Sequence, residues 1–528
     1  MVGTPSTEQH VQANPWSFGG GKSYERRWWA LAVLCLSLVV IAMDNTILNV
    51  ALPTIVEDLH ATASQLQWVV DAYILVFAGL LLTMGALGDR YGRKLALNIG
   101  LLVFVAGSIG SAFANSPNAL IATRATMGVG GALIMPATLS IITNTFTGAE
   151  RGRAIGVWAG VAGFGIVLGP VIGGWLLGHF WWGSVFLVNV PVVALAIVAG
   201  WALVPDSRDP DATPLDPIGA ALSIAALVSL VYAIIEAPRD GWTDPKIVAS
   251  FAFAVVFAVV FLWWELRTPH PMLRIDFFEN PRFSAASAAI TLVFFALFGS
   301  VFLLTQYLQF VRGYTPLQAG IRLMPVGALI VFAPLSARFA ERFGSKVVVS
   351  AGLLIVACAL ALLASVGVAT AYGLIAAALA ILGAGMGTTM APATDSIMGS
   401  LPLGKAGVGS AMNDTTRQVG GALGVAVLGS VLASAYASSM APSLVGLPVL
   451  AAAEASDSVG GAMAVAAQVG GANGQALVAA SHAAFVDGFG TAVLIAAGVA
   501  AAGAVLVLLF LPARSRETVT PREEVRVA

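Results

Sequence analysis

Three ionisable residues lie inside long apolar stretches of this chain. Asp44 and Asp71 are carboxylic acids, and Arg124 carries a guanidinium. An unpaired charge at membrane depth is costly, so such residues are candidates for function. A carboxyl group there can take up and release a proton, whereas a guanidinium keeps its charge and needs a partner or water. The structural alternatives are that Asp44 and Asp71 are hydrated near a membrane surface and that Arg124 snorkels to it.

A second group of polar residues could contact a bound molecule. Asp71 is predicted to lie in a substrate cavity and to attract the substrate. Trp68 and Tyr73 flank it, and they are predicted either to line the same cavity or to belong to an interfacial aromatic belt. Gln306 is a further candidate for the cavity wall. Asp414 and Arg417 are three positions apart, so on a helix they share a face and could also simply pair with each other.

The composition excludes a soluble protein. The chain has 528 residues, of which 58% are hydrophobic and 10% charged, against about 25% charged residues in soluble domains. The formal net charge of −1 gives no case for a nucleic-acid partner. No phosphate-binding loop, metal-ligand spacing or nucleophile–base motif is present, so we expect no cofactor, and a membrane enzyme is the weaker interpretation.

Apolar runs long enough to cross a bilayer occur fourteen times. They lie near 28–53, 66–87, 95–114, 118–144, 153–177, 184–204, 217–236, 247–266, 283–311, 316–337, 346–368, 371–398, 407–436 and 484–511. The sequence therefore predicts an all-α polytopic membrane protein. Most of its 26 Lys and Arg residues fall on one side of these spans, which predicts that both termini are cytoplasmic.

A charged loop between the second and third spans recurs in the second half of the chain. The first copy combines one acid, three cations and three glycines: Gly85, Gly88, Asp89, Arg90, Gly92, Arg93 and Lys94. The second copy, at 337–346, keeps an acid and a cation as Glu341 and Arg342. A repeat of this kind predicts two equivalent halves around a central site.

The repeat divides the chain into two six-helix bundles with two extra helices between them. We expect a tail at 1–27, a bundle at 28–204, a linker with two spans at 205–282, a bundle at 283–511 with a mobile outer loop at about 441–482, and a tail at 512–528. A short amphipathic helix is predicted within that loop near 460–477.

The fifth span has glycines at every fourth position. Gly165, Gly169 and Gly173 leave one helix face nearly bare, so another helix can approach closely. Pro170 and Gly174 complete a Gly-Pro-x-x-Gly-Gly ending, and the proline permits a bend.

These motifs together resemble the major facilitator superfamily, and within it the fourteen-helix drug:proton antiporters. The loop at 85–94 resembles Gly-x-Leu-x-Asp-Arg-x-Gly-Arg-Lys, and the stretch around Asp44 resembles Leu-Asp-x-Thr-Ile-Val-Asn-Val-Ala-Leu-Pro. The fourth span resembles Arg-x-x-Gln-Gly-x-Gly, although Met127 stands where Gln is usual. The fifth span resembles the antiporter motif of these transporters.

The resemblance implies proton-coupled efflux of lipophilic, often cationic drugs by alternating access, with a major facilitator fold in the cell membrane and a functional monomer. It also implies that Asp44 takes part in proton coupling and that Arg124 senses a neighbouring acid, for which Asp44 is the preferred candidate. We further predict that Asp89 and Arg93, with Arg153, form a cytoplasmic latch that stabilises the outward-facing state. The alternatives are a dedicated exporter of one metabolite or self-made antibiotic, an uptake transporter, and an integral-membrane enzyme.

Overall fold

The computed structural model describes residues 26–146, 148–208, 215–400 and 406–512. Within these ranges, fourteen helices are long and apolar enough to cross a membrane, as predicted. The spans of the first half and the insertion are α1 (Arg27–Leu59), α2 (Ala63–Tyr91), α3 (Arg93–Ala112), α4 (Pro117–Thr145), α5 (Gly148–His179), α6 (Ser184–Leu203), α7 (Pro217–Asp240) and α8 (Pro245–Glu265).

The second half contributes six spans and two short helices. They are α9 (Pro281–Val311), α10 (Pro316–Phe343), α11 (Ser345–Ala364), α12 (Tyr372–Met398), α13 (Ala406–Met440), the short α14 (Val449–Asp457) and α15 (Val459–Val469), and α16 (Gly471–Phe510). Nearly all of the predicted terminal tails falls outside the described residues.

Helices suit this sequence because lipid offers no hydrogen-bond partner to the backbone, and a helix pairs its own amide and carbonyl groups. Local signals set several helix ends. Thr62 caps α2 in a capping box with Gln65, and Asn280 caps α9 directly before Pro281. Proline is well suited to the first turn because its missing N–H would have no partner there.

The two halves repeat one packing scheme. In the first bundle, α1 packs on α5, and both α2 and α3 pack on α4. In the second bundle, α9 packs on α13, and both α10 and α11 pack on α12. The architecture is therefore two equivalent six-helix bundles with α7 and α8 inserted between them.

The repeated loop has the same backbone geometry in both halves. Gly92 links α2 to α3 with φ +123°, and Gly344 links α10 to α11 with φ +83°. Glycine adopts such conformations without the steric cost that a Cβ imposes. We call the side of the bundle that carries these two loops the basic end, and the other side the opposite end.

The inserted helices lie beside the seam between the halves. At the opposite end, the Trp68 indole N–H of α2 donates to Glu236 of α7 over 3.0 Å. The Ser430 hydroxyl of α13 donates to the Ile234 carbonyl of the same helix over 2.5 Å. Helix α7 thus contacts both bundles, whereas α8 packs on α7 and presents mostly exposed apolar side chains.

The predicted outer loop is largely helical. Helices α14 and α15 occupy part of 441–482, and α16 begins at Gly471, well before the predicted span at 484–511. The predicted amphipathic helix near 460–477 is therefore divided, with α15 ending at Val469. Gly470 and Gly471 break the chain there with φ +65° and +57°, conformations that favour glycine.

Candidate functional site

A buried ion pair lies at the centre of the first bundle. Arg124 of α4 approaches Asp44 of α1 with Nη1 2.5 Å from Oδ2. The two side chains are 1% and 0% exposed, respectively. The interpretations of Asp44 as a hydrated surface acid and of Arg124 as a snorkelling cation are therefore wrong. Two opposite charges in contact satisfy each other where water cannot.

Arg124 has three further contacts that hold its guanidinium in place. Its Nε donates to the Val69 carbonyl of α2 over 3.1 Å. Its Cζ lies 4.4 Å from the centre of the Tyr73 ring, a cation–π geometry. The Met127 sulfur lies 3.7 Å from Nη1, so the residue that departs from the family pattern lies beside the charge. Tyr73 is 0% exposed, so its assignment to an interfacial belt is wrong.

Asn189 of α6 also reaches the ion pair, although it was not among the residues predicted from the sequence. Its amide nitrogen lies 3.5 Å from Asp44 Oδ1 and 2.9 Å from the Ser108 hydroxyl of α3. Ser108 in turn donates to the Phe186 carbonyl over 3.1 Å. An amide within an apolar run, just before Pro191, is the signal that could have indicated this role. The network joins five of the six helices of the bundle.

Asp71 lies buried in α2 without a hydrogen-bond partner. Its side chain is 0% exposed, and neither carboxyl oxygen has a partner within the described part of the chain. The interpretation as a hydrated rim acid is therefore wrong. An unpaired carboxylate is very costly in such surroundings, which makes Asp71 a second candidate for binding a proton.

The glycine face of α5 packs directly on the helix that carries Asp44. A Cβ added at Gly165 would lie 2.8 Å from the Ala42 Cβ, and one added at Gly173 would lie 2.6 Å from the Ile47 Cγ1. Between them, Gly169 faces Thr46 and the Met43 carbonyl at equally close range. Helix α5 therefore completes the surroundings of α1 by close backbone contact.

The same helix contacts the second bundle, and this contact loosens along its length. At the opposite end, a Cβ on Gly174 would lie 2.5 Å from the Leu317 Cα of α10. Further along, a Cβ on Gly163 would lie 3.9 Å from Ile330, and one on Gly160 would meet no atom within 4 Å. Along α5, the two halves are thus in contact at the opposite end and diverge towards the basic end.

The predicted latch is only partly assembled. Arg93 Nε lies 2.6 Å from Asp89 Oδ1, an ion pair within the first half. Arg153 is exposed, and among the described residues its side chain forms no ion pair with Asp89. Glu341 and Arg342 are also exposed, and Arg342 lies over the Phe343 ring at 5.3 Å.

The candidates for the substrate cavity lie in separate places. Asp414 and Arg417 pair with each other on α13, with Nη1 of Arg417 and Oδ1 of Asp414 3.7 Å apart. This is the alternative in which the two residues simply form an ion pair. Gln306 is 8% exposed and donates to the Phe302 carbonyl of its own helix. Trp68 contacts the inserted helix α7 rather than Asp71.

Two repeated helical bundles with a buried charge network in one of them define a multi-pass membrane transporter rather than an enzyme. The chain belongs to the Major Facilitator Superfamily, whose family model matches residues 34–425.

Relatives over almost the whole chain are drug-efflux and resistance proteins. The chain is 38% identical to the multidrug efflux pump LfrA of Mycolicibacterium smegmatis, over 97% of this chain and 99% of that protein. It is 34% identical to the tetracenomycin C resistance and export protein of Streptomyces glaucescens, over 92% and 91%. It is also 34% identical to the methyl viologen resistance protein SmvA of Salmonella typhimurium, over 92% and 97%.

A solved structure supports the fold. The chain resembles the inward-facing, unoccupied structure of a bacterial homolog of the human lysosomal transporter Spinster. The TM-score is 0.67 at 19% identity, covering 94% of this chain and 100% of the other.

Proposed function

We propose that the protein is a proton-coupled exporter of lipophilic, often cationic drugs that works by alternating access. The observation that carries this proposal is the buried Asp44–Arg124 ion pair at 2.5 Å. The names of relatives that export or resist drugs agree with it. As a secondary transporter it is driven by the proton gradient, and it binds no cofactor.

Proton binding at Asp44 would change the contacts of Arg124. A neutral carboxyl group no longer balances the guanidinium, so Arg124 would rely on the Val69 carbonyl and the Tyr73 ring. Because α5 packs on α1 through glycines and also contacts α10, a shift of α1 would be transmitted to the seam between the halves. Asp71, buried without a partner, is the second proton site of this scheme.

The driving force is adequate for such a cycle. One elementary charge moved through 100 mV is worth about 2.3 kcal/mol. This free energy can maintain a concentration ratio of more than tenfold. One proton exchanged for a neutral drug, or two for a monovalent cation, moves one net charge inward and therefore suffices to concentrate the drug outside the cell.

The orientation follows from the positive-inside rule. The basic end carries Arg27, Arg93, Lys94 and Arg338 among other cations, and we place it and both termini in the cytoplasm. With the halves closed at the opposite end, the described conformation is then inward-facing. We assign the protein to the cell membrane as a functional monomer in contact with lipid.

The test is proton-driven transport of ethidium into inverted membrane vesicles. We expect Asp44→Asn to abolish transport at equal expression. Asp276→Asn is the matched control, because Arg274 and Asp276 also lie 2.5 Å apart but are 41% and 50% exposed. The Arg274 hydrogen bond lowers the pKa of Asp276, so this control also removes an ionised acid.

Either of two results would overturn the proposal. Proton-driven transport that survives Asp44→Asn would remove Asp44 from coupling. Transport that needs ATP and is insensitive to a protonophore would refute the secondary transport mode.

A dedicated exporter of one metabolite is the second candidate, because a relative at 34% identity is named for one antibiotic. Growth inhibition against a panel of unrelated drugs, with and without the gene, distinguishes the two. Resistance to a single compound class would favour the dedicated exporter.

A further inference from the structure

A large cavity lies at the opposite end of the molecule, away from the Asp44 network. Its volume is about 770 Å³, which is within the roughly 300–1,000 Å³ typical of small-molecule sites. Its walls come from both bundles, from the inserted helix α7 and from the loop helices α14 and α15. We call it the vestibule.

The loop helices form a fixed wall of the vestibule. The Ala63 N–H at the start of α2 donates to Asp457 Oδ2 over 3.0 Å. The Tyr436 hydroxyl of α13 donates to the Ala455 carbonyl over 3.1 Å. A Cβ added at Gly460 would lie 2.7 Å from the Val56 Cγ1 of α1. The segment after α13 is thus attached to both halves and covers their seam.

The charged groups of the vestibule favour a cation. Glu57, Glu454 and Asp457 line it together with one guanidinium, that of Arg239, and with His60. Its apolar surface includes the Phe310 ring and aliphatic side chains. Three carboxyl groups against one guanidinium, around an apolar wall, suit a cation with an apolar body.

A buried hydrogen-bond acceptor at the vestibule is unused. Gln67 of α2 is 2% exposed, and its Oε1 has no hydrogen-bond partner in the described ranges. A buried polar atom without a partner costs free energy, so a small rotation of the Gln67 side chain that lets Oε1 accept an N–H from a ligand would remove that cost. This acceptor is independent of the acidic groups and also indicates a ligand.

Gln67 lines both the vestibule and a smaller pocket that adjoins it. Its side chain lies against Gly429 of α13, where an added Cβ would be 2.7 Å from the Gln67 Cδ. The smaller pocket has a volume of about 30 Å³, shares Asp457 and Ser458 with the vestibule wall, and is also lined by Gln306. That space suits water but not a drug, so a drug-sized ligand fits the vestibule and not the smaller pocket.

We propose that the vestibule is an outer binding site for lipophilic cations that carry N–H donors, with Gln67 as the acceptor. This proposal rests on the proposed function, since the vestibule would hold an exported cation after its release through the seam between the two halves.

The first experiment is cysteine protection in intact cells. In a Cys358→Ala background, Ala453→Cys places a thiol on the vestibule wall, and Ala441→Cys places an exposed control thiol in the same loop outside it. We expect ethidium to slow the reaction of Ala453→Cys with a membrane-impermeant maleimide several-fold and to leave Ala441→Cys unchanged. Equal protection of both thiols, no protection, or no labelling of either would overturn the proposal.

The second experiment tests the acceptor. Gln67→Met keeps the side-chain length and removes the amide oxygen. We expect about tenfold more ethidium to be needed for protection, as for a lost hydrogen bond to a charged ligand. Tetraphenylphosphonium has no N–H donor, so its protection should not change. If the concentration needed for protection rose equally for both cations, the role of Gln67 would be overturned. As a control, an unchanged labelling rate without ligand shows that the vestibule wall is intact.

Transport in inverted vesicles separates this proposal from the proposed function. Ethidium transport without protection refutes the vestibule site alone. Protection without transport supports the vestibule and refutes the proposed function for ethidium. Absence of both refutes both.

Discussion

The two halves share one packing scheme but hold their charges differently. In the first half, Asp44 and Arg124 come from different helices, lie 2.5 Å apart and are fully buried. In the second half, Asp414 and Arg417 lie on one helix, 3.7 Å apart, with Arg417 22% exposed. A pair between helices depends on how those helices pack, whereas a pair within one helix persists when helices move. We therefore propose that proton binding acts on the conformation of the first half.

The charged loops of the basic end show the same asymmetry. Asp89 pairs with Arg93 in the first half, whereas Glu341, which corresponds to Asp89, is exposed and has Ser345 at the position that corresponds to Arg93. The glycine geometry is repeated, because the turn between two helices needs it in both halves. The ion pairing is not repeated, so the two halves differ in charge contacts rather than in backbone.

Removal of the Arg124 guanidinium should have the largest effect on stability and transport, and it tests the difference between the two ion pairs. Arg124→Met leaves Asp44 buried without its partner, and breaking a buried pair costs about 3–5 kcal/mol. We expect a lower thermal unfolding midpoint in detergent and no ethidium transport. Arg417→Met, at the looser pair, should lower the midpoint much less. A larger loss of stability from Arg417→Met would contradict the assigned asymmetry.

A larger side chain on the glycine face of α5 should have an effect of intermediate size on ethidium transport. Gly169→Val places methyl groups against Thr46 and the Met43 carbonyl, so α1 and α5 must move apart. We expect ethidium transport to fall about tenfold, as for a lost contact of about 1.4 kcal/mol. Gly160→Val is the control, because an added Cβ there meets no atom within 4 Å. If both substitutions reduced ethidium transport equally, the close contact of Gly169 with α1 would not be the cause of the loss.

Substitutions in the basic-end loops should have the smallest effect on ethidium transport. The Asp89–Arg93 pair is partly exposed, and such pairs contribute about 0.2–1 kcal/mol. We expect Asp89→Asn to slow ethidium turnover a few-fold with unchanged equilibrium binding, and Glu341→Gln to change neither. A large loss of ethidium affinity at normal turnover would count against a latch.

The sequence predicted the spans well and the site only in part. Asp44 and Arg124 stood out because charges are rare in apolar runs, and their pairing was predicted from the family resemblance. The contact of Asn189 with Asp44 was missed, because an amide in an apolar helix has no periodic signal that reveals its partner. The ion pair between Arg27 and Glu150, at 3.0 Å across the starts of α1 and α5, was also missed, because the sequence does not show which helix ends lie beside each other.

The segment at 441–482 was predicted least well. It is rich in Ala, Gly and Ser, a composition shared by flexible loops and by short packed helices. Its helices are held by Asp457 and by Tyr436, contacts that only the folded bundle creates. The sequence therefore revealed neither the helix at Val449–Asp457 nor the early start of α16, and the mobility of this segment stays a prediction.

By itself the sequence determined the number of spans, the two-half architecture and the basic end. These follow from local composition, because each apolar run must bury its backbone in a helix wherever it lies in the bilayer. Only the tertiary structure decided which polar groups meet. It placed Arg124 on Asp44 rather than on Asp71, and it left Gln67 unpaired beside the vestibule. The rotation and crossing of neighbouring helices set those contacts, and these depend on the packing of all the helices together.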